Sequence, residues 1–217
     1  MADNLSKILD QKRAFIFDFD GTLADTERLH WVAHNQILKE EYGIEVDHEH
    51  ILSYLGKPEE TFLAEIEKDY NITIENKEKY SKKRAKLAVK IILKESKPFQ
   101  FIKDVLSNIP LGVRVFLVSA QNKNAVLKIM QKWEFLRYFN ERNSFFCDAE
   151  HPVKSDFYQV IKNQLKTTSP DRIVLFEDVN KYLKIAKEHG FVTVGIDSGF
   201  GEKITDADFI IDTSQNN

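Results

Sequence analysis

The chain has 217 residues, 42% of them hydrophobic and 30% charged, with a formal net charge of −3 at neutral pH. That balance fits a soluble globular protein with a substantial core, and its slight acidity gives no reason to expect a nucleic-acid surface. No apolar run reaches membrane-spanning length, the first residues, MADNLSKILDQKR, lack a signal peptide's apolar stretch, and the single cysteine, Cys147, excludes an internal disulfide, so a reduced cytoplasmic setting is expected.

The first predicted element is a strand, AFIFDF (14 to 19). Phe15, Ile16, Phe17 and Phe19 would fill a core, yet the run carries Asp18 and Asp20 at its end, followed by Gly21 and Thr22. Buried carboxylates are costly unless a cation or hydrogen-bond donors meet them. Either the strand ends at a wet, charged edge, or the pair holds a metal.

Residues 24 to 97 contain no convincing strand. Asp25 or Thr26 can cap a helix that carries Leu29, Val32, Ala33 and Ile37 inward and stops near Gly43. Pro58 suits the first turn of a second helix, bearing Phe62, Leu63 and Ile66. A long charged helix is expected from about 75 to 95, with Leu87 and Ile91 on its apolar side. Its Lys82, Lys83 and Lys86 could attract an anion or, since glutamates are interleaved, form a solvated face.

Strands then alternate with helices. The strands are VRVFLVS (113 to 119), SFFC (144 to 147), RIVLFE (172 to 177), FVTVGI (191 to 196) and DFII (208 to 211). The helices between them are KNAVLKIMQKW (123 to 133), SDFYQVIKNQL (155 to 165) and KYLKIAKEHG (181 to 190). Strands apolar on both faces and alternating with helices mean an α/β fold, a Rossmann-like open and mainly parallel sheet. The expected core is 1–23 with 98–217, and the expected helical insertion is 24–97. Sites in such sheets lie beyond the carboxyl ends of the strands, where Asp18 and Asp20, Ser119, and Glu177 with Asp178 all fall. Cys147 reads as a reactive thiol or as an inert strand residue.

The string DFDGTLADTE resembles the first motif, DxDG(T/V), of the haloacid dehalogenase superfamily. The resemblance covers almost the whole chain, with four motifs in order and a helical cap between the first and second. It is nearest to the branch holding phosphoglycolate-phosphatase-like enzymes and β-phosphoglucomutase. It implies a Mg²⁺ site and phosphoryl transfer through an aspartyl-phosphate. In that scheme Asp18 is nucleophile and metal ligand. Asp20 is the acid and base, and binds metal through its backbone carbonyl. Gly21 permits the sharp turn and Thr22 fixes the carboxylates. Ser119, with the N–H of Ala120, holds the transferring phosphoryl oxygens. Lys154 offsets their charge and that of Asp18. Asp178 binds Mg²⁺ directly, and Glu177 directly or through water.

Three features depart from the family pattern: Lys154 and Asp156 are only two apart, which shortens the loop, and Val179 and Tyr182 stand where serine and glycine are usual. Asp20 favours phosphate-ester chemistry over dehalogenation, because an alcohol leaving group needs a proton. In the cap, the resemblance points to Thr26, to His30 and to the loop Leu55, Gly56 and Lys57 as substrate-facing. Leu55 and Glu59 replace a lysine and a phosphate-gripping arginine of the mutase.

The expected function is therefore a Mg²⁺-dependent phosphatase of a small phosphorylated metabolite. The alternatives are a β-phosphoglucomutase-like sugar phosphomutase and a catalytically weak binding or regulatory protein. No nucleic-acid or membrane partner is expected, and the chain is expected to be a monomer or weak homodimer.

Overall fold

The structure is a computed structural model that describes residues 10–47, 50 and 59–214. Leu55, Gly56, Lys57 and Pro58 lie outside the described residues. In chain order the elements begin with β1 (Ala14–Phe17) and the helices α1 (Glu27–Tyr42), α2 (Glu59–Tyr70) and α3 (Lys77–Glu95). Next come α4 (Gln100–Ser107), β2 (Arg114–Ser119), α5 (Lys123–Lys132), β3 (Ser144–Phe146) and α6 (Asp156–Gln164). The chain continues through β4 (Ile173–Glu177), α7 (Asn180–Glu188), β5 (Val192–Asp197) and β6 (Phe209–Asp212). Two compact units result: Met1–Asp25 with Lys97–Asn217, and Thr26–Ser96. No helix among the described residues is long and apolar enough to cross a membrane.

In the first unit all six strands join one parallel sheet in the order β3-β2-β1-β4-β5-β6. This is an α/β fold with a helical region inserted near its N-terminus. Alternation along β1 divides the core between two faces. Ala14 and Ile16 join Phe116, Val118, Ile173 and Leu175 on one side, under Phe157, Tyr158 and Ile161 of α6 and Ala186 of α7. On the other side Phe17 stacks on Phe176 with ring centroids 4.5 Å apart, and Phe15 meets Phe176 edge-on at 5.9 Å. Phe101 of α4 reaches the same ring. Helix α4 is not among the sequence-based expectations. Its Phe101, Ile102, Val105 and Leu106 are buried at helical spacing, but eight residues give too short a period to stand out.

The inserted unit, taken by itself, follows its helical periods with two corrections. Val32 is 38% exposed, because the buried stripe of α1 runs through Leu29, Ala33 and Ile37 and widens toward His30 and His34 instead. In α3 the buried face is Tyr80, Ala88, Ile91 and Ile92, leaving Leu87 at its edge, half-buried. Thr26 stands at the N-cap of α1 but makes no side-chain capping bond. Gly43 closes that helix in the left-handed region at φ 70°, its N–H bonding back to Lys39 O. Lys82 pairs with Glu78 at 2.5 Å and Lys83 with Glu41 at 2.7 Å, so this is a solvated, ion-paired surface.

Candidate active site

The sheet register brings the acidic residues together. Phe17 lies level with Leu117 and with Phe176, so Asp18 leaves β1 beside Glu177, the last residue of β4. The N–H of Asp18 continues the ladder to Phe176 O at 3.0 Å. Strands β1 and β4 flank the point where the strand order reverses, which opens a crevice beyond their carboxyl ends.

There the carboxylates of Asp18, Glu177 and Asp178 place ligand atoms within 4.8 Å of one another. Asp18 and Glu177 are buried and Asp178 partly so. The ammonium of Lys154 sits among them, donating to Asp18 Oδ1 at 2.8 Å and to Glu177 Oε2 at 2.9 Å and Oε1 at 3.1 Å. Burial, reinforced by the Glu177 charge, pushes the Asp18 carboxyl well above the usual carboxylate range, and Lys154 only partly offsets this. Asp178 is raised for the same reasons, enclosure first and then its neighbours Glu177 and Asp18. Burial opposes charge on Lys154, yet Asp18 and Glu177 hold its ammonium protonated well above the ordinary lysine range. Three carboxylates against one ammonium leave the cluster short of positive charge.

Gly21 makes the cluster sterically possible. Its φ is +69°, and a Cβ built there would lie 1.9 Å from Asp178 Oδ2. Only a residue without a side chain lets Asp178 reach Asp18 and Glu177. Lys154 arrives from a tight turn, in which Val153 N donates to Asp156 Oδ2 and Phe157 N to Lys154 O. The shortened loop thus makes one hydrogen-bonded turn at the start of α6, which Phe157, Tyr158 and Ile161 anchor to the sheet.

The remaining candidates are more dispersed. Asp20 is partly buried and forms an isolated bridge with Ala24; its side chain is not in the three-carboxylate cluster. Thr22 is buried, but its hydroxyl makes no hydrogen bond among the described residues, so the expected tie to the carboxylates is not formed. Ser119 is buried at the end of β2, its Oγ accepting from Gln121 N at 3.0 Å, and Ala120 beside it is exposed. Cys147 is an ordinary thiol whose pKa burial pushes up.

In the inserted unit Thr26 and His30 are buried. His30 Nδ1 lies 3.4 Å from Nη1 of Arg84, a residue the sequence did not single out. Arg84 also holds Glu59 Oε1 through Nε at 3.0 Å and Nη2 at 2.9 Å. Tyr182, marked in the sequence only as a departure where glycine is usual, has its ring under the Lys154 ammonium, with Nζ 4.4 Å from the centroid. Its contact with Lys154 was not legible from that position.

The site suits a small hard cation. Its donors are all carboxylate oxygens, the set that Mg²⁺ prefers, and the crowding that raises Asp18 and Asp178 is what a divalent ion relieves.

A parallel sheet of this order, with an acidic cluster at its switch point and a helical insertion after β1, defines a haloacid-dehalogenase-like architecture. The family of haloacid dehalogenase-like hydrolases matches residues 15–196, and the chain belongs to it. A curated relative, the phosphorylated carbohydrates phosphatase of Thermotoga maritima, is 25% identical over 185 residues, spanning 82% of this chain and 81% of the relative. Among solved structures, CbbY of Rhodobacter sphaeroides in complex with phosphate superposes with a TM-score of 0.72 at 20% identity, covering 92% of this chain and 93% of that one. A predicted phosphoglycolate phosphatase from Haemophilus somnus gives 0.75 at 17% identity, covering 93% and 94%. At those identities the two structures speak for the fold.

Proposed function

We propose that the protein is a Mg²⁺-dependent phosphatase of small phosphorylated metabolites, and that a phosphorylated carbohydrate is its substrate class. The observation that supports this best is the meeting of Asp18, Glu177, Asp178 and Lys154 at one crevice. The phosphorylated carbohydrates phosphatase relative points to the same substrate class.

Asp18, Asp178 and Glu177 would hold the ion, with the Asp20 carbonyl as a further ligand. Bound there, Mg²⁺ supplies charge neutralisation and orients a phosphate against carboxylates that would otherwise repel it. An Asp18 oxygen attacks phosphorus, a P–O bond to the substrate's alcohol breaks, and Asp20 gives the leaving oxygen its proton. Asp20 then takes a proton from water, whose oxygen attacks the acyl phosphate and releases inorganic phosphate and free Asp18. Lys154, already on Asp18, balances the charge that accumulates on the phosphoryl oxygens. Ser119 and the Ala120 N–H bind those oxygens, and the segment 24–97, through Thr26, His30 and the loop Leu55 to Lys57, selects the substrate.

The pairing of Arg84 with Glu59 weighs against a mutase, because the guanidinium already has a carboxylate partner. The test is release of phosphate from p-nitrophenyl phosphate and from a panel of sugar phosphates, with Mg²⁺ and with EDTA. Activity is expected only with Mg²⁺, inhibited by beryllium fluoride and lowered at least about a thousandfold in Asp18→Asn. Undiminished turnover by Asp18→Asn would reject the nucleophile, and a panel with no hydrolysis would reject the phosphatase reading.

A further inference from the structure

The Lys154 ammonium has three N–H bonds and two anionic partners. Asp18 Oδ1 takes one at 2.8 Å, and the two oxygens of Glu177 share another at 2.9 and 3.1 Å. A third neighbour is the ring of Tyr182, in the first turn of α7, with Nζ 4.4 Å from the ring centroid. That distance lies well inside the range of a cation–π contact. The ammonium is nearly dry, with the Lys154 side chain 8% exposed, so the ring works where water cannot screen it.

From this enclosure we infer that Tyr182 is a positioning residue, whose aromatic face holds the Lys154 ammonium against Asp18 and Glu177. The lysine stem is four flexible carbons arriving from a turn, and two carboxylate contacts alone do not prevent it from swinging away. The ring closes that escape. It also favours the protonated amine that the two carboxylates require.

The phenol oxygen has no part in this: the Tyr182 hydroxyl makes no hydrogen bond among the described residues. Tyr182 itself is held by α7, whose Leu183 and Ala186 are buried in the core. Its backbone N–H bonds to Val179 O at 3.1 Å. The clamp is therefore built on a rigid element. A second ammonium, that of Lys181, lies 5.6 Å from the same ring on the exposed part of the helix and is not needed for the argument.

The catalytic consequence rests on the phosphatase reading; the pairing of ring and ammonium does not. Two experiments keep them apart. In steady-state phosphate release with Mg²⁺, Tyr182→Phe should keep at least about half of kcat, while Tyr182→Leu should lose about five- to thirtyfold in kcat with little change in KM, the worth of a partly to fully desolvated cation–π contact. A merely structural ring would lower thermal stability in Tyr182→Leu without lowering kcat of the folded enzyme. Equal kcat in Tyr182→Leu and the parent, or equal losses in Tyr182→Phe and Tyr182→Leu, overturns the inference. If Tyr182→Leu does not fold, Tyr182→Met, flexible and suited to a helix, takes its place under the same criteria.

The second experiment needs no activity. Urea unfolding in EDTA of the parent, Tyr182→Leu, Lys154→Met and the double variant forms a cycle. The Tyr182→Leu change should lower the folding constant about fivefold more when Lys154 is present than when it is replaced. Additive effects overturn the inference even in an active enzyme. A chain with no phosphatase activity but a coupled cycle sinks the proposed function and leaves the clamp standing.

Discussion

Gly21→Ala tests the geometry on which the metal site depends. The residue lies at φ +69°, and the new Cβ would stand 1.9 Å from Asp178 Oδ2 and 2.6 Å from its Cγ. Left-handed backbone costs an alanine about 1 kcal/mol. The overlap cannot be tolerated, so the Asp178 carboxylate must rotate away, breaking up the three-carboxylate group. Two effects should therefore appear. In EDTA, urea unfolding should show a loss of about 1–3 kcal/mol. In Mg²⁺, the stabilisation that ligand binding adds to the parent, about 2.7 kcal/mol at a hundred times Kd, should shrink by at least about 1.4 kcal/mol, as a tenfold weaker site requires. Isothermal titration with Mg²⁺ measures the same change directly. A control separates clash from strain: in an Asp178→Ala background the overlap is gone, and Gly21→Ala should cost only the left-handed share, about 1 kcal/mol. If Gly21→Ala keeps both its stability and its full response to Mg²⁺, the close approach of Asp178 is not what forms the site.

Lys154→Met removes the cation from three carboxylates and should cost about 3–5 kcal/mol in EDTA by urea unfolding, part of which Mg²⁺ restores; a loss equal with and without Mg²⁺ would contradict their shared site. His34 is buried beside Tyr80, with its Nδ1 3.0 Å from the Tyr80 hydroxyl, and burial first, then Arg84 and His30, hold its pKa well below the ordinary histidine range. The unfolded chain therefore binds a proton that the folded one refuses, so stability should fall as pH drops below about 6.5, by up to about 1.4 kcal/mol per unit, and His34→Gln should flatten that slope. Phe17→Ala, which empties the space between Phe15, Phe139 and Phe176, should lower unfolding free energy by about 3–5 kcal/mol in the same assay.

Local chemistry alone specifies much of this protein. Short β-branched and apolar runs such as IVLFE read as strands buried on both faces, and their alternation with amphipathic helices points to a parallel sheet. Acids at strand ends with glycine and threonine after them are unusual enough to mark the candidate site, because carboxylates beside a core are expensive. The edges of helical faces were less legible: Val32 and Leu87 are apolar in sequence but lie off the buried stripes, since a face is settled by what packs against it. The eight residues of α4 were too few to show a period.

Side-chain partners across long separations belong to the tertiary structure. Nothing near Tyr182 in sequence says that its ring will lie under Lys154, 28 positions earlier, or that Lys154 will share itself between Asp18 and Glu177. Nor does the string around Gly21 reveal that its missing Cβ makes room for Asp178. Periodicity and turn chemistry act within a few residues and are written along the chain. Charge pairing and steric clearance act through space, and exist only once the strand register has set β1 beside β4.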